Sequence, residues 1–216
     1  MTAASFLPEG ELHMNALLSI VFLCLLLWVE PARAESAEYS LQVSRHRNVQ
    51  LDEGEVDRIL EAASNLLKQN HCDVTFRRNG QVQVFASPHT PDVINTPAQR
   101  NAVYRELGDV KVVSDIKFCR LGLGDTLGCA WPRSAGRKSM IVMHEQVDRN
   151  LRHILWAHEF GHRTGLKHRA DPESVMTICD LAADQVKVTP RECDCFLSGP
   201  GHPCRRREIR PQCPDR

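Results

Sequence analysis

Eleven residues, His158-Glu159-Phe160-Gly161-His162-Arg163-Thr164-Gly165-Leu166-Lys167-His168, constrain this chain more than any other stretch. On a helix, His158 and His162 are four positions apart and project from one face, one turn above the other, as two ligands of one ion must. Gly165 can take the positive φ that ends a helix, so the chain is expected to turn there and return His168 from a loop as a third nitrogen. Three imidazoles leave a tetrahedral zinc with one open position, and water bound there loses its proton near neutral pH. Glu159, next to the first ligand, is then the candidate general base, placed to take that proton and pass it to a leaving amine. Two histidines flanking a glutamate are often no more than a solvated helix face. The longer pattern through Gly165 and His168 is much rarer and favours a site.

The remaining composition bounds the molecule. The 216 residues, 42% apolar and 25% charged, describe one ordinary globular domain. Ala16 to Val29 is a fourteen-residue apolar run, short for a bilayer span, and Ala32-Arg33-Ala34 has the small residues of a signal-peptidase site. Residues 1–34 are therefore read as a cleaved export signal, although Glu9 and Glu11 precede the run where such signals are usually positive; initiation at Met14 removes both. A retained membrane anchor is the rival, and no stable membrane association is expected after cleavage. Cleavage takes Arg33 from the 27 basic side chains and Glu9, Glu11 and Glu30 from the 27 acidic ones, leaving 26 and 24. That near-neutral balance gives no case for nucleic acid, since Arg205 to Arg207 with Arg210 form only a short tail.

Cleavage also leaves eight cysteines: Cys72, Cys119, Cys129, Cys179, Cys193, Cys195, Cys204 and Cys213. An even number in an exported chain points to disulfides, though spacing alone does not select the pairs. Cys119 and Cys129 bracket Leu121-Gly122-Leu123-Gly124 and could close a small loop. Cys193 and Cys195, two apart on a helix, face different ways and are expected to take different partners from Cys179, Cys204 and Cys213. The rival is a structural zinc on these C-terminal thiolates.

In chain order, strands and helices alternate. Tyr39 to Arg45 reads as a first strand, and Asp52 caps a helix to Gln69 with Val56, Ile59, Leu60, Ala63, Leu66 and Leu67 at helical spacing. Val74 to Phe76 and Val82 to Phe85 read as short strands joined by an Asn79-Gly80 turn, and Ser87 to Ala98, with three prolines, as a loop. Val110 to Phe118 and the almost wholly apolar Ser139 to Met143 are further strands, the latter central; Gly128 to Arg137, with Pro132, suits an edge and a loop. The motif helix is expected to start at a cap on Asp148 or Asn150 and run to Gly165. Thr189-Pro190-Arg191-Glu192 combines an N-cap, a first-turn proline and a capping-box acid, so a last helix runs from there to just before Gly199. His144 and His153 are read as packed or surface histidines rather than ligands.

Together these residues resemble the metzincin zinc endopeptidases, most closely the matrixins, and most strongly from Gly124 to Met176. Asn150-Leu151, Ala157-His158-Glu159-Phe160-Gly161-His162, Gly165-Leu166, His168 and Asp171-Pro172 look like the matrixin active helix and its exit. Met176 is similar in place to the methionine of the tight turn beneath the metal. Gly124-Asp125-Thr126-Leu127-Gly128-Cys129-Ala130-Trp131-Pro132 is similar to the segment leading into the substrate-binding edge strand. The resemblance implies an α+β zincin domain over residues 35–198, with a twisted mixed five-stranded sheet, three helices and a zinc cleft between two lobes. A disulfide-tethered basic tail, 199–216, would follow. It further implies a monomer that cleaves proteins or peptides, bound extended against the edge strand, with one zinc on His158, His162 and His168 and a specificity pocket walled by Thr177 to Val188.

The chain departs from the matrixin pattern at three places. Arg169 follows the third histidine where matrixins usually have a small or acidic residue. Thr177 follows the methionine where an aromatic is common. Cys129 replaces a histidine of the matrixins' structural zinc, so neither that zinc nor their calcium sites are carried over. No cysteine lies between Ala34 and the first strand to mask the metal, so an enzyme active once folded, controlled by export or by a proteinaceous inhibitor, is expected. A secreted module that keeps the fold and binds peptides without cutting them is the alternative class; the presence of Glu159 favours the enzyme.

Overall fold

A computed structural model describes residues 35–119, 127–130, 139–177 and 181–200. The chain divides into two compact units, Met1–Ala34 and Glu35–Arg216, and everything described belongs to the second. The export signal, the Gly122 and Gly124 segment, Pro132, Cys179, Cys204, Cys213 and most of the basic tail lie outside the described residues.

Two parallel apolar segments make the centre of a five-stranded mixed sheet. β1 (Ala37–Leu41) and β2 (Val43–Arg45) come from the segment expected to be one strand. The break falls at Gln42, whose N–H donates to Asp109 Oδ2 (3.0 Å) and whose carbonyl accepts from Asp109 and Val110 N–H (2.7 and 3.1 Å). These bonds turn the backbone of Gln42 towards the neighbouring strand, so β1 pairs with β3 (Val74–Arg78) while β2 pairs with β6 (Val110–Val113). The sheet order is β4-β2-β6-β9-β8, with β4 being Gln83–Val84, β9 Met140–Met143 and β8 Gly128–Ala130. Every pairing is parallel except β8 on β9. β6 and β9 are buried at every position, as the nearly unbroken apolar run of β9 requires of a strand covered on both faces.

Three expectations need correction here. The Asn79-Gly80 turn does not fold β3 and β4 into a hairpin: both run parallel to the β1–β2 line, and residues 79–82 form a bulge between them, with Asn79 N–H still donating to Leu41. The 110–118 segment breaks at Ser114, after which β7 (Asp115–Ile116) pairs with β5 (Val93–Ile94), a strand inside the expected loop. There are four helices rather than three among the described residues. The unexpected one, α2 (Pro97–Arg105), begins at Thr96, whose hydroxyl accepts from Gln99 N–H at 3.2 Å while the Gln99 side chain accepts from Asn95 N–H at 2.7 Å. Reciprocal capping of this kind outweighs the loop signal of the prolines before it.

The other helices stand close to expectation. α1 (Glu53–Gln69) is capped by Asp52, which accepts from Glu55 N–H at 2.7 Å, and buries the six apolar residues that mark its stripe. Ser64 fastens it to β3: its hydroxyl donates to Leu60 and accepts from Phe76 N–H, both at 2.8 Å or less. α3 (Arg152–Arg163) packs on α1, β8 and β9. It has no side-chain cap; Asp148 instead takes Asn150 N–H on its carboxylate and Leu151 N–H on its carbonyl, holding the turn before it. α4 (Pro190–Ser198) has the capping box foreseen for Thr189 and Glu192.

Cysteines close the structure at two places. Cys119 pairs with Cys129, fixing β8 to the chain after β7. Cys193 pairs with Cys72 and not with a C-terminal cysteine. Cys72 lies at the exit of α1, where positive φ at His71 turns the chain, and its Cα stands 5.3 Å from that of Cys193. Cys195 is also disulfide-bonded, so neither sulfur of α4 is a free thiolate for a metal.

Candidate metal centre

Phe160 sets the rotation of α3. Its ring is buried against Phe76 (centroids 4.7 Å), Tyr39 (4.9 Å) and Phe196 (6.4 Å), a burial worth about 2–3 kcal/mol. With Phe160 in the core, His158 and His162 share a different face. The helix stops where Gly165 takes φ 95°, with Gly165 N–H donating to His162 and Leu166 N–H to Gly161, both at 3.0 Å. This is the paired C-terminal closure that a left-handed glycine permits, and the chain beyond it carries His168 back.

His158, His162 and His168 come together so that one ligand atom from each lies within 4.8 Å of the others, and Nε2 of His162 is 3.0 Å from Nε2 of His168. Nδ1 of His158 lies 2.7 Å from the Val175 carbonyl, and Nδ1 of His162 lies 2.8 Å from that of Leu166. A carbonyl only accepts, so both Nδ1 atoms carry the proton and both Nε2 atoms present lone pairs. Burial, then the neighbouring rings of His162 and His168, hold His158 well below the ordinary histidine range, so it stays neutral as a ligand must be.

Glu159, which follows His158 on α3, is buried. Its Oε2 has no hydrogen-bond partner among the described residues, and burial pushes its carboxyl up to about 8. A carboxylate so placed awaits a proton or a nearby cation. Two glycines make room for the centre. A Cβ on Gly128 would stand 2.5 Å from both Cγ and Cδ of Glu159, and one on Gly161 would overlap Met176 Sδ and lie 3.2 Å from Phe196. Met176 is thus packed directly beneath the turn of α3 between the two helical histidines.

The donor set fits zinc. Bonds of about 2.0–2.1 Å at tetrahedral angles put ligand nitrogens about 3.3 Å apart, close to the spacing of the His162–His168 pair and within about 1.5 Å of the group's widest separation. The Val175 and Leu166 carbonyls, by taking the Nδ1 protons, leave the Nε2 lone pairs of His158 and His162 to face an ion.

Several contributors were not read from the sequence. The Val175 and Leu166 carbonyls carry no side-chain signal. Tyr104, on α2, donates to the Cys129 carbonyl at 3.0 Å; burial, then the charge of Glu159, raises its phenol. Its helix was the one missed. Gly128 and Gly161 stood inside the quoted motifs, but only packing reveals why they are glycine. Elsewhere, His144 is buried beside Glu55 and Arg152, and His153 is half-buried; neither joins the triad. Of the expected pocket wall, residues 178–180 lie outside the described residues, while Thr177, Gln185 and Val188 are buried.

No protein-family model and no curated protein matches this chain. Among solved structures it is similar to archaemetzincin from Methanopyrus kandleri, at 17% sequence identity and a TM-score of 0.47, over 78% of this chain and 96% of that one. It is also similar to a chain in a structure of a chaperone–substrate complex, at 14% identity and a TM-score of 0.45, over 77% of this chain and 34% of that one.

Proposed function

We propose that this chain is an exported zinc-dependent endopeptidase of the metzincin type. The observation that carries the reading is the convergence of three histidine nitrogens, with a buried glutamate following the first of them on α3. His158, His162 and His168 would hold the ion, and Met176 would form the floor under it. Zinc supplies Lewis acidity there, polarising a peptide carbonyl and bringing water within reach of deprotonation near neutral pH.

The protein's own groups do the rest. Glu159 accepts a proton from the attacking water as its oxygen adds to the carbonyl carbon, then returns it to the amine as the C–N bond breaks. Val175 and Leu166 keep the imidazoles oriented. Substrate would lie along β8, the edge strand of the sheet that packs against α3. Met143 N–H donates to Leu127 (2.8 Å), so residues 127 and 129 face β9, and the main-chain groups of Gly128 and Ala130 point outward for an extended peptide. Export is supported by the disulfides and by the signal-like residues 1–34, and no described helix is long and apolar enough to cross a membrane.

Incubating the purified chain with a denatured protein tests the reading, with chelator and with Glu159→Ala as controls. Cleavage at internal bonds that disappears in both is expected. One equivalent of zinc bound with no cleavage of any peptide in a broad library would mark a non-catalytic binding module instead.

A further inference from the structure

The third imidazole comes from a loop, and long-range contacts keep that loop facing α3. Arg169, the next residue, donates its N–H to the Met176 carbonyl at 2.8 Å and forms a parallel bridge with Thr177. Its guanidinium reaches across to α4, where Nη1 donates to Glu192 Oε2 at 3.1 Å, while Nη2 stands 3.9 Å from Asp171 Oδ2. Glu192 is almost wholly buried, and the same Oε2 accepts from the N–H and the hydroxyl of Thr189, each at 2.8 Å. A buried carboxylate gains most from a donor that carries charge, so the contact with Glu192 holds the guanidinium against α4. α4 is itself an anchored partner, joined through Cys193 to Cys72 at the exit of α1.

Resting on the metal reading above, we infer that Arg169 is a positioning residue for the third ligand: clamped between Glu192 and the Met176 carbonyl, it fixes His168 opposite His158 and His162 and so sets zinc affinity. This gives a physical role to one of the positions where the chain departs from the matrixin pattern. A small residue could not span from the His168 loop to α4, and an acidic one would meet Glu192 with like charge.

The test measures zinc binding to the metal-free full chain by competition with a chromophoric chelator, together with the absorption spectrum of the cobalt-substituted protein. Arg169→Met, Arg169→Lys, Glu192→Gln and His168→Ala are compared, and each is also melted without metal. Arg169→Met and Glu192→Gln are expected to bind zinc about 10–100-fold more weakly and to shift the cobalt spectrum towards that of His168→Ala. Arg169→Lys keeps a charge beside Glu192 and hence the fold, but loses the planar fork, so it weakens binding by a smaller factor and carries the test with Glu192→Gln if the methionine variant does not fold. Zinc affinity equal to the parent in the lysine and glutamine variants, with only a lower metal-free melting temperature, overturns the inference and leaves a purely structural ion pair. If His168→Ala itself binds zinc like the parent, the metal centre fails, and the inference with it.

Discussion

Replacing Gly128 with alanine asks whether the carboxylate of Glu159 must sit where it does. Gly128 does not have positive φ, so alanine suits the backbone and only the added methyl group matters. That methyl carbon would stand 2.5 Å from Cγ and Cδ of Glu159, whereas ordinary contact begins near 3.4 Å, so the side chain must retreat by about 1 Å. If Glu159 is the general base proposed above, a misplacement of that size costs about a hundredfold in rate, or about 2.7 kcal/mol of transition-state stabilisation. The assay is kcat/KM on a peptide found in the denatured-protein digest, with zinc affinity and the urea midpoint measured on the same preparation. Activity should fall about a hundredfold while zinc binding stays near that of the parent, and the overpacking itself should lower stability by about 1–3 kcal/mol. Cleavage within about threefold of the parent would refute the placement of the base, and activity lost in proportion to zinc would refute the separation of base from metal.

Glycine to alanine at Gly161 on α3 should act on stability: it drives a methyl group into Met176 Sδ and Phe196, and overpacking of this kind costs about 1–3 kcal/mol, read from the urea midpoint. Burial and then the charge of Arg152 hold the His144 imidazole below the ordinary histidine value of about 6.5, and burial does the same for His153. Below that value the unfolded chain takes up protons that the folded chain refuses, so stability should be full above it and fall on acidification, by at most about 1.4 kcal/mol per pH unit for each histidine. Comparing urea unfolding of the parent and His144→Asn between pH 7.5 and 5 isolates one of them; equal slopes would show that His144 does not titrate differently on folding. Replacing both cysteines of Cys72–Cys193 by serine should cost about 2 kcal/mol more than doing so at Cys119–Cys129, because the closed segments span 121 and 10 residues, and equal losses would show that chain entropy is not what separates them.

What the sequence disclosed depended on whether the controlling interaction was local. The stripe of α1, the cap on Asp52, the capping box of α4 and the stop at Gly165 each involve residues a few positions apart, and each is found as expected. The His158–His162 spacing is local in the same sense. α2 was equally local but hidden, since Thr96-Pro97-Ala98-Gln99 lies at the end of a stretch whose prolines read as loop. Strand pairing is another matter. Whether β3 and β4 fold on each other or run side by side with β1 and β2 is decided by partners far along the chain, as is the break at Gln42, which answers to Asp109. Cys72 and Cys193 share no local cue at all.

The metal centre divides along the same line, and the division has a physical consequence. α3 alone aligns two imidazoles, but a free helix leaves their tautomers unset. The segment Val175 to Thr177 supplies the Val175 carbonyl to His158, the Met176 carbonyl to Arg169 and the Met176 side chain to the underside of Gly161. That segment is held in turn by Val175 N–H on the Lys187 carbonyl and by Lys187 N–H on that of Glu173. One short stretch of main chain therefore orients the His158 ring, anchors Arg169 next to His168 and supports α3 at Gly161. Its own bonds form only when Glu173 and Lys187 are in place, so the three nitrogens have no reason to converge in the unfolded chain, and the proposed zinc affinity would be a property of the fold rather than of the motif.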